Sequence, residues 1–195
     1  MKAIATLLLL QLSQYSYSQK LTFDIFLFGN VIGQSVVEKK QVNDSLFNYT
    51  LHSSSEARIF FTVRTNRLDY DITYSNQKLV TSSSANVRND EQHYVTVKFE
   101  GASYLIKRDN ESFCLKPPIE CSSVLLLFAE PCNVRQIFSE RLGEYRPVKK
   151  TAAAEYEVDM KDGIVYIYRY KNGKLAELEM KKGFMGSVFM RPHKS

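Results

Sequence analysis

The chain has 195 residues with 12 tyrosines, 12 phenylalanines, no tryptophan, three cysteines, three histidines and a formal net charge of +5. The charge is uneven: residues 146–195 hold 11 basic and 6 acidic side chains, interleaved, with no dense Lys/Arg block. That pattern reads as a solvated, mixed-charge sheet edge and argues against nucleic acid as a partner.

In chain order, Lys2 is followed by the apolar residues Ala3-Ile4-Ala5 and Leu7-Leu8-Leu9-Leu10, and a short polar stretch closes on Ser16-Tyr17-Ser18. This predicts a secretory signal peptide over 1–18, cut before Gln19. The apolar run is far shorter than the roughly 20 residues of a spanning helix, and no later segment reads as transmembrane. Residues 19–195 are then one exported β-rich domain, periplasmic or extracellular, long enough for a sizeable core.

Strand follows strand from there. The ranges 21–28, 34–42, 46–52, 57–65, 68–74, 78–87, 93–100 and 102–107 are rich in aromatic and β-branched residues, and Gly29-Asn30, Asn43-Asp44-Ser45, Ser75-Asn76-Gln77, Asn89-Asp90 and Asp109-Asn110 punctuate them. Residues 121–131 break the rhythm. Ser122 and Ser123 suit a helix start and Pro131 its end, with Val124, Leu125, Leu126, Leu127 and Phe128 between. A buried helix is expected, with a buried strand as the alternative.

The last third carries Asp162-Gly163 and Asn172-Gly173, which favour two-residue type I′ turns. Such turns set Lys161 opposite Ile164 and Lys171 opposite Lys174. Tyr156, Val158, Met160, Val165, Ile167, Arg169, Ala176, Leu178 and Met180 then share a core-facing side, and Tyr166, Tyr168 and Tyr170 point to water. The predicted architecture is mainly β: a curved antiparallel meander of about ten strands forming an open or half barrel around one apolar helix.

Chemistry is sparse. His52, His93 and His193 are far apart and the cysteines lack a C-x2-C spacing, so no metal or other cofactor is expected. There is no G-x-S-x-G elbow and no phosphate-cradling glycine loop. A Cys132–His93 pair would need the fold to bring it together. Glu140 with Glu144, and Glu155 with Glu157 and Asp159, read as solvated carboxylates. Export permits a disulfide of Cys114 with Cys121 or Cys132. A helix over 121–131 would hold Cys121 and Cys132 roughly 16 Å apart, too far to bridge. Three free thiols are the other reading.

Two stretches, Phe23-Asp24-Ile25-Phe26-Leu27-Phe28-Gly29-Asn30-Val31-Ile32-Gly33 and Ile137-Phe138-Ser139-Glu140-Arg141-Leu142-Gly143, with a signal ending in Ser-Gln, resemble a family of exported, Bacteroidetes-type bacterial proteins: domain of unknown function 6134. In strand pattern alone the chain is also similar to the open barrels of the periplasmic lipoprotein carriers. That likeness implies an apolar concave surface able to hold acyl chains.

The function expected is non-enzymatic binding of a hydrophobic or acylated ligand, a lipid or a lipoprotein, in the concave face. Val158, Met160, Val165, Ile167, Leu178, Met180, Leu125, Leu126 and Phe128 would line it, and Arg169 would meet an anionic head group at the mouth. The alternatives are an envelope interaction protein, meeting another envelope protein through a sheet edge or the tyrosine face, and a hydrolase of envelope material.

Overall fold

The computed structural model describes residues 17–116, 118–183 and 186–194; the signal-peptide expectation falls almost wholly outside them. Fourteen strands follow in order: β1 (Ser18–Leu27), β2 (Asn30–Gln41), β3 (Leu46–Ile59), β4 (Thr62–Ser75), β5 (Lys78–Arg88), β6 (Glu91–Phe99), β7 (Tyr104–Arg108), β8 (Glu111–Leu115), β9 (Gln136–Ser139), β10 (Glu144–Ala152), β11 (Glu155–Asp159), β12 (Ile164–Lys171), β13 (Lys174–Lys182) and β14 (Ser187–Pro192). They form one antiparallel sheet that does not close, running from β8 back to β1, across to β14 and back to β9. About ten strands was therefore an undercount. Reading missed β8, β9, β10 and β14 and split the long β3–β4 hairpin, because its turn, Phe60-Phe61, has none of the usual turn residues.

The expected helix is absent. Residues 121–131 contain only a 3₁₀ turn, Leu125–Leu127, inside an irregular segment that threads the barrel between β8 and β9. Ile119, Ser122, Val124, Leu126 and Leu127 of that segment are buried. An irregular backbone in an apolar interior must find partners for its polar groups. Here the barrel wall supplies them as tyrosine hydroxyls. Tyr170 donates to the Leu126 carbonyl (2.8 Å), Tyr74 to Ser122 Oγ (2.7 Å) and Tyr156 to Glu130 (2.8 Å). Tyr104 donates to the Leu79 carbonyl and accepts from the Ile119 amide.

This plug explains why the tyrosine row faces inward. The Asn172-Gly173 turn pairs Lys171 with Lys174 as expected, but a bulge next to Arg169 then sets Tyr168 opposite Leu178. At the first hairpin Lys161, Asp162 and Gly163 all have positive φ, and Val158 pairs with Tyr166 instead of Ile167. A one-residue slip turns a strand over. Tyr168 and Tyr170 are buried in the core, whereas Val165, Ile167 and Arg169 lie on the other face of the strand, with Ile167 buried there by its neighbours. There Arg169 bonds Glu155 (2.8 Å), Glu177 (2.6 Å) and Glu179 (2.9 Å).

All three cysteines are free, with Cys114 and Cys132 exposed, so neither expected disulfide is present. Burial pushes the Cys121 thiol up to about 11.

Candidate functional site

The plug crosses the barrel and leaves a cavity of about 520 Å³ on one side, with a second of about 480 Å³ beside Leu125 on the other. Its floor is Ser123, Val124 and Leu127 of the plug. Its walls include Leu51 and Leu68 from β3 and β4, Leu178 and Met180 from β13, Met190 from β14 and Met160 after β11. Alternation along each strand brings every second residue to this face. Farther out the same strands turn polar, and Ser53, Ser55, Asn66, Asn86, Arg88 and His93 form the mouth.

Two adjacent ionisable residues anchor the floor. Glu140 is fully buried and accepts from the amides of Ser123 (3.1 Å) and Val124 (3.2 Å) and from Ser123 Oγ. Burial pushes its carboxyl up, against hydrogen bonds from Ser122, Ser123 and Val124 that favour the charged form. Arg141 lines the cavity beside Tyr70, Tyr166 and Tyr168. Its guanidinium carbon lies 5.9 Å from the centre of the Tyr166 ring. Tyr166 is the largest influence raising its pKa, so the group stays charged.

Among the described residues no carboxylate lies within ion-pair distance of Arg141, and its Nε is buried without a hydrogen-bond partner. Ser35 Oγ, also on the cavity wall, is buried and unpaired as well. A wall of aliphatic side chains with a charged guanidinium and a lone hydroxyl is equipped to hold an apolar chain bearing an acidic group.

Of the residues proposed from sequence, Met160, Leu178 and Met180 meet on this cavity. Val158 and Leu126 are buried in the core away from it, and Leu125 and Phe128 pack on the core from the plug. Val165, Ile167 and Arg169 are on the sheet face turned away from the cavity, where Ile167 is nonetheless buried and Arg169 is engaged by glutamates. Reading missed Arg141, Tyr70 and Tyr166. The available signal was Glu140-Arg141, two charges set one residue after the apolar Ile137-Phe138.

His93 bonds Asp109 (3.1 Å) and His52 bonds Asp69 (2.8 Å), and among the described residues neither has a hydrogen bond to a serine or cysteine. Among the described residues no three His, Cys, Asp or Glu side chains group as metal ligands.

The family model for a domain of unknown function (DUF6134) matches residues 23–193. The chain belongs to this family. The match spans the cavity-lining strands and both floor residues, Glu140 and Arg141. No curated protein matches the chain. Among solved structures, it is similar to a beta-barrel-like protein of domain of unknown function DUF1849 from Brucella abortus, with a TM-score of 0.55 and 11% identity over 90% of this chain and 95% of that one. At that identity the likeness concerns the barrel-like fold alone. Among the described residues no helix is long and apolar enough to cross a membrane.

Proposed function

We propose that the protein is an exported carrier or receptor that binds one amphiphile in the open end of its barrel. The ligand's apolar chain lies against Leu51, Leu68, Leu178 and Met190, and its acidic group meets Arg141. The observation that carries this reading is a charged guanidinium among aliphatic and aromatic side chains that no carboxylate contacts at ion-pair distance among the described residues, Asp162 on the same lining acting on it only from farther off. A buried charge without an opposite partner is costly, and an anionic ligand removes that cost. The cavity volume falls within the range of about 300–1,000 Å³ typical of small-molecule sites. Arg141 thereby takes the head-group role that sequence reading gave to Arg169.

Native mass spectrometry of the mature protein from its host's envelope fraction is the direct test. A discrete added mass, lost in organic solvent, supports the reading. In lipid-free buffer, a long-chain fatty acid should bind the wild type at least about tenfold more tightly than Arg141→Met, and an uncharged alcohol of equal chain length should bind both alike. A clean apo mass, with no uptake of either probe, would sink the proposal.

A further inference from the structure

β3 and β4 run past their neighbours. Pairing of β3 with β2 stops at Ser55, and pairing of β4 with β5 stops at Asn66, with Thr65 held by Asn89 of the next turn. Residues 56–64 therefore project as a free two-stranded finger, roughly 13 Å long at about 3.3 Å per residue. At its tip Phe60 and Phe61 are 90% and 102% exposed, and Ile59 and Val63 behind them are exposed too.

The tip residues are poor choices for the turn itself. Phe60 has φ 55°, a region that favours glycine or asparagine and penalises bulky side chains. The β1–β2 turn repeats the pattern, with Phe28 at φ 50° and 72% exposed. Antiparallel pairing puts both turns at one end of the barrel, the end where the cavity opens. Other turns at this end put ordinary turn residues at positive φ: Asn89 and Asp90 in one, Asp109 in the other. Phe28 at least borders Gly186, but the exposed Phe60 ring at a strained position adds no packing to the fold, so its use lies outside it.

Charge identifies the partner. Arg58 faces Val63 across the finger and Arg64 faces Ala57, which places the two arginines on opposite faces of the ribbon just behind the tip. Neither has an ion pair among the described residues, and Glu56 is the only acid on the finger. Aromatic rings backed by unpaired arginines on both faces suit immersion in a lipid interface, with the guanidinium groups reaching phosphates from either side. Two aromatic turns side by side also suit a flat partner better than a groove.

We infer that the Phe60-Phe61 finger, with Phe28 beside it, docks the open end of the barrel onto a bilayer bearing anionic lipid. This holds whether or not the cavity is occupied, and its test is separate from that of the cavity.

The chain has no tryptophan, so Phe61→Trp in the mature protein makes the tip its own reporter. With vesicles of phosphatidylglycerol and phosphatidylethanolamine, the emission of this single indole should move to shorter wavelength and become shielded from iodide. Pure phosphatidylcholine vesicles should leave it unchanged. In co-sedimentation, F60S/F61S should lower partitioning onto the anionic vesicles at least about tenfold with the melting temperature preserved. R58Q/R64Q should remove most of its salt dependence. Tip emission that stays water-exposed with anionic vesicles, or a double-serine variant that pellets like the wild type, would overturn the inference and point to a protein partner. Phe28→Ser supplies an independent variant with the finger intact.

Discussion

Glu140 offers the sharpest check on the plug. Its carboxylate is the acceptor for the Ser123 and Val124 amides and for the Ser123 hydroxyl, where the plug meets the cavity floor. Glu140→Ala leaves the Val124 amide and the Ser123 hydroxyl without their acceptor, while the Ser123 amide keeps the Phe138 carbonyl. Each unsatisfied buried donor costs about 1–3 kcal/mol, offset in part by relief from burying a carboxyl, for a net loss of about 2–4 kcal/mol. For a domain of this size that lowers Tm by roughly 5–15 °C. Burial raises the Glu140 pKa, which fixes the sign with pH. Its contribution is full below the ordinary carboxylate value of about 4.5 and declines as pH rises through the raised value. Thermal melts followed by circular dichroism should therefore show the widest gap between wild type and variant near about pH 5 and a narrower one near about pH 8. Glu144→Ala is the control: Glu144 is partly exposed and paired with Arg146 and Arg108, so its loss should cost under about 1 kcal/mol. A Glu140→Ala Tm within about 2 °C of wild type near pH 5, or a gap that widens with pH, would refute the reasoning.

Two further substitutions test the sheet. Arg169→Met removes the cation shared by Glu155, Glu177 and Glu179, leaving Glu177 to Arg191 and Glu179 to Lys181, and should cost about 1–2 kcal/mol in urea denaturation at neutral pH. Thr151 and Arg169 hold Glu155 below the usual carboxylate value, and Ser187 and Arg169 do so for Glu179 against its burial. Their contribution is lost as pH falls, so the urea midpoints of variant and wild type should converge below about pH 4. Gly33→Ala would place a Cβ 2.0 Å from the Ser54 carbonyl oxygen and 2.6 Å from Ser55 Cα. Neither backbone atom can yield without breaking the β2–β3 ladder, so the variant should lose about 3 kcal/mol or more, or fail to accumulate as folded protein.

The sequence made some of this legible and hid the rest for physical reasons. The antiparallel meander and the Asn172-Gly173 turn follow from local chemistry, and the Lys171–Lys174 pairing agrees. The tyrosine row was visible as a period-two pattern, but its side was misassigned. A phenol hydroxyl reads as a sign of water, whereas here it serves the buried backbone of the plug. Three consecutive positive-φ residues at 161–163, in place of a two-residue turn, supplied the slip. Leucine-rich 124–127 favoured a helix by propensity, yet hydrogen bonds from Ser123 to the Phe138 carbonyl and from Phe138 to the Cys121 carbonyl draw the chain against β9. The finger was hidden by its own composition, since aromatic residues at 60 and 61 read as mid-strand. Met160, Leu178 and Met180 were legible as cavity-facing, but Arg141 comes from a distant part of the chain and only the tertiary fold brings it to them.

The strand order has a kinetic consequence. β1 and β14 are neighbours in the middle of the sheet, and Asp24 meets His193 across 169 residues. Every other ladder joins strands adjacent in sequence. Each flank can thus zip up locally as hairpins, on timescales of about microseconds, whereas the seam between them carries the whole entropic burden of closing a loop nearly as long as the chain. Until the final strand arrives, two half-sheets exist with their central edges bare. The rate of joining that seam, more than the formation of any hairpin, sets when the barrel first acquires an inside.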